Sequence, residues 1–330
     1  MHRFLIPIFI LAALGGAAYA YVLNHHVTGP LTGQAVSGDV ANRRPVAVIL
    51  DNFAPDARPQ TGLDQASLVF ETLAEGGITR FLAIYLEQDA PMVGPVRSTR
   101  LYFNSWVAGL GAIFGHDGGN VDALQQLPQL NDIYNEDAAR VPGPFWRTTD
   151  RAAPHNEYTS TERLRSYAAS HGGATTGSLA ALPHKSDSSP VGRPAHFTLN
   201  VQFSYGDYNV TWQYDPSANN YRRFMGGRPH VEGATGKQLR AKNVVVMYTK
   251  ESAAYDPFTP ESIHLTTEGS GKAVVYEDGM EIDGTWSKPS VEGQLQWFDS
   301  SGRPIKLNRG VTWVEVVPEG NQVTTSGGLP

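Results

Sequence analysis

The chain is predicted to adopt an α+β fold. A layered mixed sheet carries helices in the N-terminal part, and the C-terminal part is mainly antiparallel β. Three observations predict this. Short apolar runs of strand type recur along most of the chain, helix-capping signals are confined to the part before residue 172, and beyond residue 195 short β-branched and aromatic runs alternate with Gly, Pro and Asp turn signals. With 330 residues there is room for two ordinary domains, and 41% hydrophobic residues supply their cores.

Arg3 precedes an uncharged stretch from Phe4 to Leu23, about the ~20 residues that span a bilayer as a helix. Its first part also suits a secretory signal, and Ala18-Tyr19-Ala20 has the small-x-small form of a cleavage site. Residues 1–23 are therefore read as a signal or anchor helix, the apolar Tyr21-Val22-Leu23 favouring the anchor. The expected location is a single-pass membrane protein with its main domain outside the cytoplasm, or a secreted protein after cleavage near Ala20. Residues 24–44 are polar and read as a tether.

An N-terminal α+β domain is expected over 45–171. Pro45–Leu50 is a buried-type strand ending at Asp51-Asn52, and 56–62 is loop. Leu68–Leu73 and Ile78–Leu86 are strands around a Glu75-Gly76-Gly77 turn. Helical spacing appears from Ser98 to Leu110. Ala112–Phe114 is a short strand, followed by Gly115-His-Asp-Gly-Gly-Asn120 and a helix from Val121 with Asn120 as N-cap. Thr159-Ser-Thr-Glu162 reads as a capping box opening a helix through Ala169. Residues 172–194 read as a linker or long loop, 195–318 as a β-rich domain, and 319–330 as a disordered tail. Expected strands in the second half include 196–203, 210–214, 244–248, 273–276, 294–298 and 311–317.

The absence of cysteine excludes disulfides, thiolate metal sites, a Cys nucleophile and a lipidated N-terminal Cys. A formal charge of -6 without a long basic run argues against a nucleic-acid surface. No Walker loop, dinucleotide fingerprint, His-Glu-x-x-His or Gly-x-Ser-x-Gly motif occurs, so no cofactor and no metal site are expected.

Several separate blocks resemble the YerB-like family of bacterial cell-envelope proteins. They are Arg58-Pro-Gln-Thr-Gly62, Glu75-Gly-Gly-Ile-Thr-Arg80-Phe81, Gly94-Pro-Val-Arg97-Ser-Thr-Arg100 and Pro154-His155-Asn156-Glu-Tyr158 in the first half. In the second they are Tyr221-Arg-Arg-Phe, Lys242-Asn243-Val-Val-Val-Met247, Asp283-Gly-Thr-Trp286-Ser-Lys288 and Gly310-Val-Thr-Trp313. The resemblance covers roughly 44–318. It implies N- and C-terminal domains, a β-rich second half and often a lipid anchor outside the membrane. Without a Cys, the anchor here would be Phe4–Leu23. The family brings no established reaction.

The residues themselves point to an anion. Arg97 and Arg100 stand three apart at a predicted helix start, where guanidinium forks and the helix dipole both attract negative charge. With Arg80, Gly118, Gly119, Asn120 and Asn156 they are the candidate ligand-binding residues. The alternative is that Asp51, Glu71 or Glu75 pairs with these arginines inside the protein. His116 and His155 are candidate acid–base groups, with Asp117 or Asp51 to orient one of them. Trp212, Trp286, Trp297 and Trp313 are read as core rather than as a sugar-binding face. The expected function is binding of an anionic envelope ligand (a cell-wall fragment, a wall polymer or a protein carboxylate). The alternative is an envelope hydrolase or transferase with His116 or His155 as general base.

Overall fold

A computed structural model of the chain describes residues 26–328; the Phe4–Leu23 segment and its cleavage site lie outside them. Among the described residues no helix is long and apolar enough to cross a membrane. The principal strands, in chain order, are β1 (Val46–Leu50), β2 (Leu68–Leu73), β3 (Thr79–Tyr85), β4 (Ile113–His116) and β5 (Tyr134–Asp137). Then come β6 (Phe197–Gln202), β7 (Asn209–Asp215), β8 (Asn220–Met225), β9 (Asn243–Thr249) and β10 (Gly269–Glu277). The last are β11 (Met280–Lys288), β12 (Gln296–Asp299), β13 (Thr312–Pro318) and β14 (Val323–Gly327). The helices are α1 (Gly38–Asn42), α2 (Leu101–Ala108), α3 (Val121–Gln126) and α4 (Thr161–Ser170).

One ten-stranded sheet, ordered β12-β11-β10-β9-β13-β2-β3-β1-β4-β5, runs through both halves of the sequence. The halves meet where β13 pairs in parallel with β2, Trp313 opposite Val69 and Glu315 opposite Glu71. The inner strands are covered on both faces, which is why Val46-Ala-Val-Ile-Leu50 is a continuous apolar run without alternation. A smaller antiparallel sheet, β8-β7-β6-β14 with the short strand Arg228–Pro229 beyond β8, packs on one face. Its strands do alternate. Tyr221, Arg223 and Met225 of β8 point inward and are buried. Helix α4 shares this face, placing Leu164 and Ala168 in the same core as Val46 and Ile113. Helix α2 covers the other face, where Trp106 stacks on Phe70 at 5.0 Å.

The α+β class and the β-rich second half agree with expectation; among the described residues no α-helix lies beyond 195. All four tryptophans read as core are buried. Asp278-Gly279 makes the tight β10–β11 turn, both residues having positive φ (55° and 74°) as a two-residue hairpin requires.

Several local expectations need correction. Residues 26–42 of the presumed tether form a hairpin, His26–Thr28 with Ala35–Ser37, followed by α1. The Glu87 carboxylate fixes this segment by accepting from the Leu31 and Thr32 amides. The 172–194 stretch is loop apart from His184–Lys185, which ties it to the rest of the fold by pairing in parallel with Leu307–Asn308. Part of the presumed disordered tail is β14, an edge strand on β6 that the β-branched Val323-Thr324-Thr325 run suits. Helix α4 begins one residue later than the capping box implied. Ser160 is the N-cap and accepts from the Arg163 amide at 3.1 Å, so Glu162 is not the reciprocal partner. Asn120 occupies the N-cap position of α3 without capping it. Asp256 from the second half accepts the Val121 amide at 2.6 Å instead.

Candidate functional site

Strands β1, β2, β4, β5, β9 and β13 all point the same way. Their carboxyl ends therefore form one edge of the sheet. Ligands of open sheets with parallel strands bind beyond that edge, because loops diverge there and backbone donors and acceptors are left over. The residues singled out by sequence leave the sheet here: Asp51 from β1, Glu75 after β2 and Asp117 from β4. The loop carrying Arg97 and Arg100 crosses in front. It is stitched down by the Arg97 amide to Ile49 O, the Asp117 amide to Arg97 O and the Thr99 amide to Gly118 O.

Asp51 is the hub. Its carboxylate is buried, accepts from His155 Nδ1 at 2.7 Å and lies 3.3 Å from Arg97 Nε, while its other oxygen accepts the Phe53 amide at 2.9 Å. Phe53 stacks on the His155 imidazole at 5.0 Å, fixing the ring plane. Since Nδ1–H donates to Asp51, Nε2 is the outward nitrogen of His155. Among the described residues neither that Nε2 nor the Nη groups of Arg97 have a hydrogen-bonding partner. Both side chains are partly exposed, Arg97 by 26% and His155 by 13%. They form a surface seat on a buried negative charge.

Arg80 and Arg100 turn the other way. Both guanidinium groups converge on Glu75, with Arg100 Nε at 2.9 Å from Oε2. Arg80 also donates to Ser98 O at 2.8 Å and Arg100 to Thr99 O at 2.6 Å. The internal pairing considered as the alternative is thus realised: Arg100, joined by Arg80, pairs with Glu75, and Arg97 pairs through its Nε with Asp51, so that only the Arg97 Nη groups are left outward. Burial pushes the Glu75 carboxyl up, but the two guanidinium groups outweigh it and hold it at about 2. Burial and the neighbouring Arg100 lower Arg80 to about 10. Two cations against one carboxylate leave net positive charge directly behind the Arg97–Thr99 loop.

The rest of the predicted set divides as follows. His116 is fully buried, its Nδ1 against Gly118 O at 2.8 Å and its Nε2 against Asn135 Oδ1 at 2.7 Å. It shares no partner with His155. Gly118 has the positive φ (65°) of a tight turn, but its amide donates to Asp137 rather than facing solvent. Gly119 packs against Thr99 and Leu124, and Asn120 is buried. Asn156 accepts from Arg147 at 3.0 Å and donates to Thr148 O at 2.7 Å. The glycine loop is a strand-to-helix turn whose Asp117 and Gly118 amides are engaged within the protein, on Arg97 O and Asp137.

Sequence reasoning missed Phe53, Arg147 and Glu157. Arg147 Nη2 reaches Glu157 at 3.0 Å and Asp117 at 3.5 Å. Burial and the adjacent Asp117 raise the Glu157 carboxyl to about 7. Glu157 stood in plain view within Pro154-His-Asn-Glu-Tyr158, but nothing in the linear pattern placed Asp117 beside it.

The residues 31–174 match the family model described as "Protein of unknown function (DUF3048) N-terminal domain", and 199–314 match its C-terminal counterpart. The chain belongs to this DUF3048 family. It is 34% identical over 309 residues to the Bacillus subtilis (strain 168) protein named "Putative lipoprotein YerB", covering 91% of this chain and 88% of that one. The crystal structure of the Bacillus subtilis YerB protein superposes with a TM-score of 0.81 at 30% identity, over 91% of this chain and 99% of the other.

Proposed function

We propose that the protein is an extracytoplasmic component of the bacterial cell envelope that seats an anionic ligand on Arg97 and His155. The envelope assignment is supported by the lipoprotein name of the Bacillus subtilis relative and by the membrane-length apolar stretch Phe4–Leu23. The ligand class follows from one observation. The Arg97 guanidinium and the His155 ring are both anchored on buried Asp51 and keep their outward nitrogens unpaired at the carboxyl edge of the sheet. The surplus positive charge of Arg80 and Arg100 over Glu75 biases that seat further towards anions. A carboxylate or phosphate of a cell-wall fragment, a wall polymer or a protein C-terminus has the required chemistry. A second reading is favoured by the Asp51–His155 pair itself. A His with Nδ1–H on a carboxylate and Nε2 free is arranged to take a proton from water, the general-base step of an envelope hydrolase. His116 has no part in either reading, because both its ring nitrogens are engaged in the interior.

The test compares two arginines. Arg97→Lys keeps the charge but loses the planar fork, and weakens binding of soluble anionic wall fragments about ten- to a hundredfold with little change in thermal midpoint. Arg100→Lys lowers the midpoint, since it breaks the Glu75 cluster. Unchanged affinity in a folded Arg97→Lys protein, measured by calorimetric titration, contradicts the proposal.

A further inference from the structure

A second cavity, of about 640 Å³, opens where the two halves of the chain meet. One wall is the 54–59 loop that follows β1, and the other is the segment from Met225 to Val231. Neither Arg97 nor His155 lines this cavity. Phe53 stacks on His155, whereas Ala54 and Pro55 line the cavity. Its volume falls within the roughly 300–1,000 Å³ typical of pockets that enclose a small ligand.

The lining has two characters. Pro55, Pro59, Pro229, Met225 and Val231 give apolar walls, and the prolines offer no amide donor. Two rim residues of opposite charge, Arg228 and Asp207, stand in the same cavity. Both are exposed. Among the described residues no ion pair forms between them, and neither side chain takes part in a hydrogen bond. Only the Asp207 main chain is engaged, its carbonyl accepting from Arg58 Nη1 at 2.9 Å. The walls themselves are braced. Arg58 also donates to Asn52 Oδ1 at 2.8 Å and lies over the Tyr208 ring, 5.0 Å from its centroid. His230 is buried, with Nε2 on Gln60 at 2.8 Å and Nδ1 accepting from Arg223. Burial and the Arg223 charge keep its imidazole neutral well past the usual range. The charged side chains of the cavity left without a hydrogen bond are therefore Arg228 and Asp207, one of each sign, while Arg58, whose guanidinium is held by Asn52 and the Asp207 carbonyl, adds a braced positive charge.

We infer that this cavity is a binding site for a short apolar peptide with free termini, its carboxylate on Arg228 and its ammonium on Asp207. A braced frame loses little freedom on binding, so modest contacts suffice. The proline-lined walls accommodate small aliphatic side chains. A purely anionic ligand is disfavoured by Asp207, and a purely cationic one by Arg228. The site uses none of the residues of the Arg97–His155 seat and stands or falls independently of it.

The experiment titrates the full-length protein in detergent micelles with tetra-alanine, followed by calorimetry, alongside the C-amidated and N-acetylated forms of the same peptide. The expected result is that tetra-alanine binds in the millimolar range or tighter, and that blocking either terminus weakens it about tenfold. Arg228→Gln abolishes the difference between free and amidated peptide, and Asp207→Asn abolishes the difference between free and acetylated peptide. Neither exposed substitution moves the thermal midpoint. Val231→Trp, which fills the cavity, removes binding altogether, while Arg97→Lys leaves it unchanged. The inference is overturned if tetra-alanine does not bind at millimolar concentration. It is equally overturned if affinity is indifferent to both blocked termini, or if Arg228→Gln and Asp207→Asn bind all three peptides as the parent protein does.

Discussion

Replacing Arg223 by Met is expected to destabilise the protein by about 3–5 kcal/mol, the loss typical of removing one member of a buried ionic cluster. Arg223 projects from β8 of the smaller sheet into the ten-stranded one and is fully buried. There it meets two carboxylates that the parallel register sets side by side, Glu71 on β2 and Glu315 on β13. Its Nη1 is 2.6 Å from Glu315, and its guanidinium lies 4.3 Å from the Trp313 ring centroid and 4.9 Å from that of Trp212. Trp212 Nε1 also donates to Glu315 at 2.7 Å. Burial, reinforced by Glu315 and only partly offset by Arg223, raises the Glu71 carboxyl to about 8. At neutral pH the cluster thus approaches one carboxylate against one guanidinium. Met fills much of the stem volume but leaves Glu315 without a cation. Denaturant unfolding monitored by tryptophan fluorescence measures the loss. The triple change Arg223→Met, Glu71→Gln, Glu315→Gln should recover a substantial part of it, because the uncompensated charge is gone. A loss below about 1 kcal/mol for Arg223→Met alone contradicts this account of how the two sheets are held together.

Glu136→Gln is expected to stabilise the protein above neutral pH, by on the order of 3 kcal/mol at pH 7.5. Glu136 lies on β5, fully buried, and neither carboxyl oxygen has a hydrogen-bonding partner. Burial alone raises its carboxyl to about 8. The sign follows from linkage. The native state holds Glu136 protonated, whereas the unfolded chain ionises it near pH 4.3, so its contribution to stability is intact below about pH 4 and falls progressively as pH rises towards 8. Gln does not ionise and escapes that loss. Equilibrium unfolding at pH 5 and pH 7.5 should show a gain for Glu136→Gln that grows with pH. A gain of the same size at both values, or a loss that deepens with pH, contradicts it.

Much of the architecture was legible because the signals were local. Val46–Leu50 and Leu68–Leu73 announce themselves as buried strands, and Glu75-Gly-Gly77 as the turn from the second of them into β3. Strands β8 and β11 were harder, because Tyr221-Arg222-Arg223-Phe224 looks polar until one sees that only alternate side chains point inward and that one arginine is among them. The tail strand β14 and the pinned 172–194 segment depend on partners more than a hundred residues away, which no local pattern encodes. At the site, the cluster of arginines and the value of His155 and Asp51 could be read from residue type. Which arginines face solvent could not. Arg97 and Arg100 are three apart, yet the helix starts only at Leu101, so they are not neighbours on one helical face. Arg100 folds back to Glu75 while Arg97 stays at the surface.

The central claim is that Arg97 and His155 form one anion seat. It is tested most directly by nitrogen-15 NMR of the histidine and arginine side chains during titration with inorganic phosphate at pH 6 and pH 8. The account predicts that the His155 ring and Arg97 guanidinium signals shift together along one saturation curve, while His116, Arg80 and Arg100 stay still. Phosphate shifts confined to other arginines, or His155 and Arg97 signals that do not respond at either pH, would contradict it.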